Sequence, residues 1–370
     1  MILALVLKTI LLLLTLVMVV SAGPIYTVTD LGGLGGSAAA GFKINDSGAA
    51  VGWATTAIND QHAFLSLGGG TVQDLYPGSS EAYAFGINAS GTVAGTSYQG
   101  GLAHGEIWST SGTTDLGAGV FATGINDPGA VIGGNGHAFV LVNGVYTDLG
   151  TLPGGDWSSA YGINKLGAVA GYGSTGTGSF RAFTWTADSG MTELGTLGGN
   201  NSYAMSINSG GQVVGHAATV SGYDHAFLAL GAFLNDLGTL GGGNSYAYGI
   251  NNSGSVVGYS DMAGGENPHG FIWTNGAMMD LNSLIGTGSG WELTQAYGIN
   301  NTGQIVGEGL YNGQSRAFRL DPIGSTSVPE PTSGVLLGIG LLCIATKNAV
   351  KGYPFPYFRL PTKTGVGTAK

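Results

Sequence analysis

The sequence predicts an all-β fold: a seven-bladed β-propeller of four-stranded blades, its ring closed by the N-terminal strand, followed by a C-terminal apolar helix. Three observations point there. The string Ile-Asn-x-x-Gly returns seven times. Each return carries short apolar runs separated by turns. The last return lacks its fourth run, and a matching run stands at the start of the chain.

The marker falls at Asn45, Asn88, Asn126, Asn164, Asn208, Asn251 and Asn300, in steps of 43, 38, 38, 44, 43 and 49 residues. A period near forty with several strands per unit is the spacing of a propeller. Glycine makes up 71 of 370 residues and follows the repeat, so it marks turns rather than disorder. Only 9% of residues are charged and 43% are hydrophobic, which is enough to fill a large core. The net charge of −10 argues against a nucleic-acid partner, which wants a basic stripe. The single cysteine, Cys343, leaves the repeats to be held by packing alone.

In the fourth repeat the apolar runs are 160–163, 168–171, 181–185 and 191–194. They are short, rich in β-branched and aromatic residues, and read as strands. The first two meet at Asn-x-x-Gly. The asparagine can bond backbone two residues on, and the glycine supplies a left-handed residue, so turn chemistry outweighs a ligand site for these asparagines. The last two strands fix a register. Asn143-Gly144 centres a hairpin with Val142 opposite Val145 and Phe139 opposite Asp148. Asn275-Gly276 gives Trp273 opposite Met278 and Phe271 opposite Asp280.

Two residues before the third-strand Phe stands His62, His137, Arg181, His225, His269 or Arg316, and His104 holds the equivalent place ahead of a slightly longer strand that includes Ile107. An acid recurs near the fourth strand's end: Asp74, Asp115, Asp148, Glu193, Asp236 and Asp280. A repeated His–acid pair suggests a metal site or a general base. Arg181 and Arg316 oppose both, because Arg neither ligates a metal nor accepts a proton. The expectation is a structural, charge-assisted bond tying the two outer strands of each blade. The seventh acid is missing from the end of the chain. It reappears in Tyr26-Thr27-Val28-Thr29-Asp30-Leu31-Gly32, which matches Tyr146-Thr147-Asp148-Leu149-Gly150. The N-terminal strand is therefore expected to complete the seventh blade and remove the open sheet edges.

The strings His62-Ala63-Phe64, His137-Ala138-Phe139 and His225-Ala226-Phe227 recur in phase, with Asp-Leu-Gly-Thr-Leu-Gly-Gly at 236–242. They resemble the HAF family of extracellular bacterial repeats over residues 26–320. The resemblance implies export and a propeller-like array, and no particular reaction.

Residues 1–20 are almost wholly apolar, with Val20 and Ala22 at the −3 and −1 places of a signal-peptidase site, so cleavage is expected after Ala22. An uncleaved anchor is the alternative, since Lys8 lies inside the run. At the other end, Pro329-Glu330-Pro331 precedes the apolar run 334–346 and the bases Lys347, Lys351, Arg359, Lys363 and Lys370. That order resembles the PEP-CTERM sorting signal of Gram-negative bacteria over about 20 residues, although the bases here are dispersed. The resemblance implies recognition by an exosortase, transient membrane anchoring, and association with extracellular polysaccharide. The expected division is a signal peptide at 1–22, the propeller at 23–325, the sorting motif with a short transmembrane helix at 326–346, and a basic disordered tail at 347–370.

The leading expectation for function is a non-catalytic, secreted or cell-surface protein, monomeric and without cofactor or metal. A glycan-binding propeller is the alternative, using Trp53, Trp157, Tyr172, Tyr223 and Trp291. Those aromatics are not strictly in phase, and packing between blades explains most of them. A propeller glycoside hydrolase or lyase is less favoured. The acids outside the repeat pattern, Glu81, Glu106, Glu266, Glu292 and Glu308, are dispersed, and no nucleophile elbow, His-Glu-x-x-His or phosphate loop occurs. Asp46, Asp127 and Asn252 stand in turns where calcium could bind, but those turns are too short to supply six oxygens.

Overall fold

The computed structural model describes residues 25–323 apart from Gly69, Ser79, Ser80 and Glu266. Ala22, Pro329, Glu330, Pro331 and the expected C-terminal helix lie outside the described residues. Within them, seven antiparallel four-stranded sheets form a seven-bladed propeller. The blades span residues 35–74, 82–118, 121–148, 158–193, 198–236, 241–280 and 291–322. The seventh takes Tyr26–Asp30 as its outer strand, with Tyr26 opposite Pro322 and Asp30 opposite Phe318. In the other six, strands run in sequence order from the inner to the outer edge.

Turn chemistry set the register as expected. Asn143 and Gly144 have φ of 50° and 79°, and Asn275 and Gly276 have 52° and 82°, the left-handed pairs that a two-residue hairpin needs. Phe139 faces Asp148 and Phe271 faces Asp280. The inner strands are longer than their apolar runs. Gly35–Ile44, Gly198–Ile207 and Gly241–Ile250 each begin inside the glycine-rich string that follows an outer strand.

Every inner strand carries a bulge. Pairing with the second strand slips by one residue at Phe42, Phe85, Thr123, Tyr161, Met205, Tyr248 or Tyr297. Beside each bulge, the second strand has Gly52, Gly95, Gly133, Gly171, Gly215, Gly258 or Gly307. A Cβ on any of them would lie 1.8 to 2.1 Å from an inner-strand carbonyl oxygen. The bulge therefore requires glycine there. The space also admits the third-strand Phe: Phe139, Phe183, Phe271 and Phe318 all approach within about 3 Å of that missing Cβ. These rings, with Phe64 and Phe227, are fully buried and form the centre of each blade's core. Blade 2 departs from this. Glu106 occupies the Phe position opposite Asp115, and Trp108, two residues further on, fills the space over Gly95.

The blades are joined around the ring by the marker asparagines, all buried. Each Oδ1 accepts from backbone N–H within its own turn, as Asn251 does from Ser253 at 3.2 Å and Ser255 at 3.0 Å. Asn126 has only the second of these, from Ala130, because residue 128 is Pro and has no N–H. The amide Nδ2 points the other way. It donates to the backbone oxygen of the next blade's asparagine in six of the seven steps, at 2.9 to 3.2 Å. The step from Asn300 to Asn45 closes the circle. A neighbouring set of bonds reinforces it: Asp46 accepts from Asn301, Asn301 from Asn252, Asn252 from Ser209, and Asp127 from Ala89. The three turn residues weighed as calcium ligands thus have their oxygens in bonds between blades.

Replacing Asn251 separates the two roles. Asn251→Asp keeps the turn acceptor but sets a carboxylate oxygen against the Asn300 carbonyl, so it should destabilise as much as Asn251→Ala, about 2–3 kcal/mol. Urea melts measure this; an Asp variant with wild-type stability would show that the belt adds nothing.

Candidate functional site

The recurrent His and acid residues meet on the outer strands, away from the axis. His62 lies 2.7 Å from Asp74, His104 3.0 Å from Asp115, His137 3.0 Å from Asp148, His225 2.8 Å from Asp236, and His269 2.8 Å from Asp280. Arg181 approaches Glu193 at 3.3 Å. The seventh blade differs: Arg316 donates to Gln314 Oε1 at 3.0 Å rather than to Asp30. Asp30 keeps the acid's other task, accepting from Gly32 N at 2.8 Å. Asp74, Asp115, Asp148, Asp236 and Asp280 likewise each accept from the backbone N–H two residues on. For Asp115 and Asp148 this backbone bond is the main reason the carboxyl is held below its ordinary range, with the histidine second. Partly exposed pairs of this kind contribute about 0–1 kcal/mol each.

A different set of residues surrounds the channel. A bulge turns the extra residue out of the strand's alternation and re-aims its side chain. Here all seven bulged residues, Phe42, Phe85, Thr123, Tyr161, Met205, Tyr248 and Tyr297, line one cavity of about 740 Å³. It opens on the face opposite the asparagine belt, where the second-to-third strand loops lie. Nine of its lining residues are aromatic: these five Phe and Tyr, with Tyr83, Tyr98, Phe121 and Trp157. Ring contacts run from Tyr161 through Tyr172, Tyr203, His216, Tyr246, Tyr259, Tyr248, Tyr297, Phe42 and Phe85 to Tyr83. Successive centroids are 4.7 to 6.0 Å apart. The arc breaks only at blade 3, where Thr123, Gly134 and Gly136 leave a gap beside the half-exposed Phe121.

Of the aromatics weighed from sequence, Trp157 reaches the cavity. Tyr172 belongs to the arc behind it, Trp53 packs on Tyr83, and Trp291 packs on Tyr311 and Phe318. Tyr223 is exposed. Of the acids, Glu81 is the one described carboxylate lining the cavity, and it accepts from the Tyr83 hydroxyl. Glu106 is buried in blade 2, bonded to Ser97 at 2.8 Å and Gln99 at 3.3 Å. Glu308 is bonded to Ser315 at 2.7 Å. Glu292 lies in the inner strand of blade 7, and Glu266 is outside the described residues. Among the described residues no three His, Cys, Asp or Glu gather as a metal group would. The missed signal was the residue three before each marker asparagine. It is in phase in all seven repeats, but alternation alone does not reveal that it is a bulge.

No family model matches the chain, and no curated protein matches its sequence. Solved structures give distant likenesses. A Trypanosoma rangeli sialidase in complex with 2,3-difluorosialic acid is 10% identical with a TM-score of 0.40; the match covers 94% of this chain and 65% of that one. AofleA from Arthrobotrys oligospora is 12% identical with a TM-score of 0.40, covering 81% of this chain and 86% of that one. Likenesses this distant do not bear on function.

Two buried groups give opposite pH signatures. Burial pushes Glu106 up, so its folded form holds the proton more tightly than the unfolded chain. Its contribution is full below the ordinary carboxylate range and falls as pH rises through the folded value. Glu106→Gln should be more stable than wild type at pH 7, with the gap closing by pH 4; equal melts at both pH values would refute it. Burial lowers His216 to about 4, between Tyr203 and Tyr246. Its contribution is lost as pH falls from the ordinary value near 6.5 toward 4. His216→Phe should flatten the stability profile there, and an unchanged slope would place the acid sensitivity elsewhere.

Proposed function

We propose that this chain is a non-catalytic bacterial surface propeller that holds extracellular polysaccharide in its channel-mouth cavity. On this reading the N-terminal apolar run exports it. The Pro329-Glu330-Pro331 segment presents it to exosortase-like machinery, with transient membrane anchoring before processing. The ring works as a monomer.

One observation carries the binding role. Seven bulges, one per blade, converge on a single concave site lined by nine aromatic residues. Sugar rings have an apolar C–H face and a hydroxyl edge. A cup of Tyr, Phe and Trp offers matching apolar faces. The breach at blade 3 lets a polymer leave the site without ending there.

The hydrolase alternative has one contact in its favour, Tyr83 against Glu81 in the cavity. Burial and the neighbouring carboxylate both push the Tyr83 hydroxyl upward, away from the phenolate that nucleophilic attack needs. Paired-carboxylate chemistry would need a second acid across the site, and Glu81 stands alone among the described lining residues.

Titration of the purified chain with exopolysaccharide of the producing strain should show saturable binding. Trp157→Ala and Tyr161→Ala should each weaken it at least tenfold, and no new reducing ends should appear. Binding that ignores both substitutions would remove the cavity from the reading; release of oligosaccharide would make the protein an enzyme.

A further inference from the structure

One lining residue is not explained by neutral sugar. The residue before the marker isoleucine is Gly86, Gly124, Gly162, Ser206, Gly249 or Gly298 in six repeats; in the first it is Lys43. The position is crowded because inner strands converge on the axis. A Cβ on Gly86 would meet Gly124 Cα at 2.9 Å, and one on Gly162 would meet Ser206 Cα at 2.8 Å. A long cationic side chain is thus placed where its counterparts are the smallest.

Lys43 lines the cavity. None of the ion pairs or side-chain hydrogen bonds among the described residues involves its ammonium. Glu81, the one described acid in the lining, is engaged with Tyr83. Burial pulls the ammonium down to about 8, which leaves it mostly charged at neutral pH. A cation in an aromatic cup with no counter-ion is poorly solvated, so a ligand anion that displaces the remaining water there gains more than it would at an open surface. The remaining charge balance sets the kind of anion. One ammonium matches one carboxylate, whereas a phosphate dianion would bring an uncompensated charge into an apolar site that already holds Glu81.

We propose that the cavity takes an acidic sugar residue of a polysaccharide, a uronate or comparable sugar acid, with its ring on the aromatic wall and its carboxylate on Lys43. This rests on the glycan-binding reading above and adds the charge of the ligand. The small residues Thr123, Gly134 and Gly136 at blade 3 give the rest of the polymer its exit.

The test uses matched probes with the full chain: an oligogalacturonate and its uncharged methyl ester, titrated into wild type, Lys43→Met and Lys43→Gly. The glycine variant restores the residue found in five of the other repeats, so at least one variant should fold; melting temperatures confirm this. Wild type should bind the acid at least tenfold more tightly than the ester. Both variants should lose that preference while keeping ester affinity, and the wild-type preference should shrink from 20 to 500 mM salt. Equal wild-type affinity for both probes, or a preference that survives in the variants, overturns the acidic-sugar assignment and leaves glycan binding intact. Failure with both probes, alongside binding to a neutral exopolysaccharide, does the same. Failure with every glycan overturns both readings.

Discussion

A primary amide has a donor end and an acceptor end on opposite sides, and the propeller depends on that geometry. Each marker asparagine holds its own turn with its oxygen, and six of the seven reach the next blade with their nitrogen. A carboxylate could do the first and a lysine the second; neither could do both. Because the donated bond ends on the backbone of the equivalent asparagine, the rule repeats from blade to blade and can close on itself. The belt is buried, so its hydrogen bonds are shielded from water. This explains why the asparagine persists while its neighbours drift between Asp, Ala, Lys, Ser and Asn.

Local chemistry made the fold legible in the sequence. The period, the Asn-Gly hairpins and the displaced seventh outer strand all follow from turn residues at fixed offsets, and each appeared at the expected register. The channel was not legible. A strand read with period two assigns each side chain a face, and one bulge inverts that assignment beyond it. Tyr161, Tyr248 and Tyr297 look like ordinary strand residues until Gly171, Gly258 and Gly307 are seen to accept a neighbouring carbonyl where a Cβ would be. The expected arginine pair of the seventh blade also failed for a local reason. Arg316 is long enough to fold back to Gln314, whereas histidine has no such freedom.

Blade 2 shows how far the repeat tolerates change when volume is conserved. Glu106 replaces the core phenylalanine, Trp108 restores the ring over Gly95, and Ser97 and Gln99 meet the carboxyl. The substitution keeps the packing and adds a titratable group to a core that otherwise has none of its kind in that position. A chain read only for its His-Ala-Phe strings would miss this, because the compensating residue lies two places downstream.

The outer strand of the seventh blade is the first part of the propeller to be synthesised and the last to find its partner. Thr27 bonds Asp321 across 294 residues. Closing so long a loop costs only about 2 kcal/mol more than closing one blade, since the entropy grows with the logarithm of length. The delay is one of timing more than of energy: until the final repeat arrives, the strand Tyr26–Asp30 has no partner. A ring that locks only when its two ends meet becomes rigid only once both ends are present together.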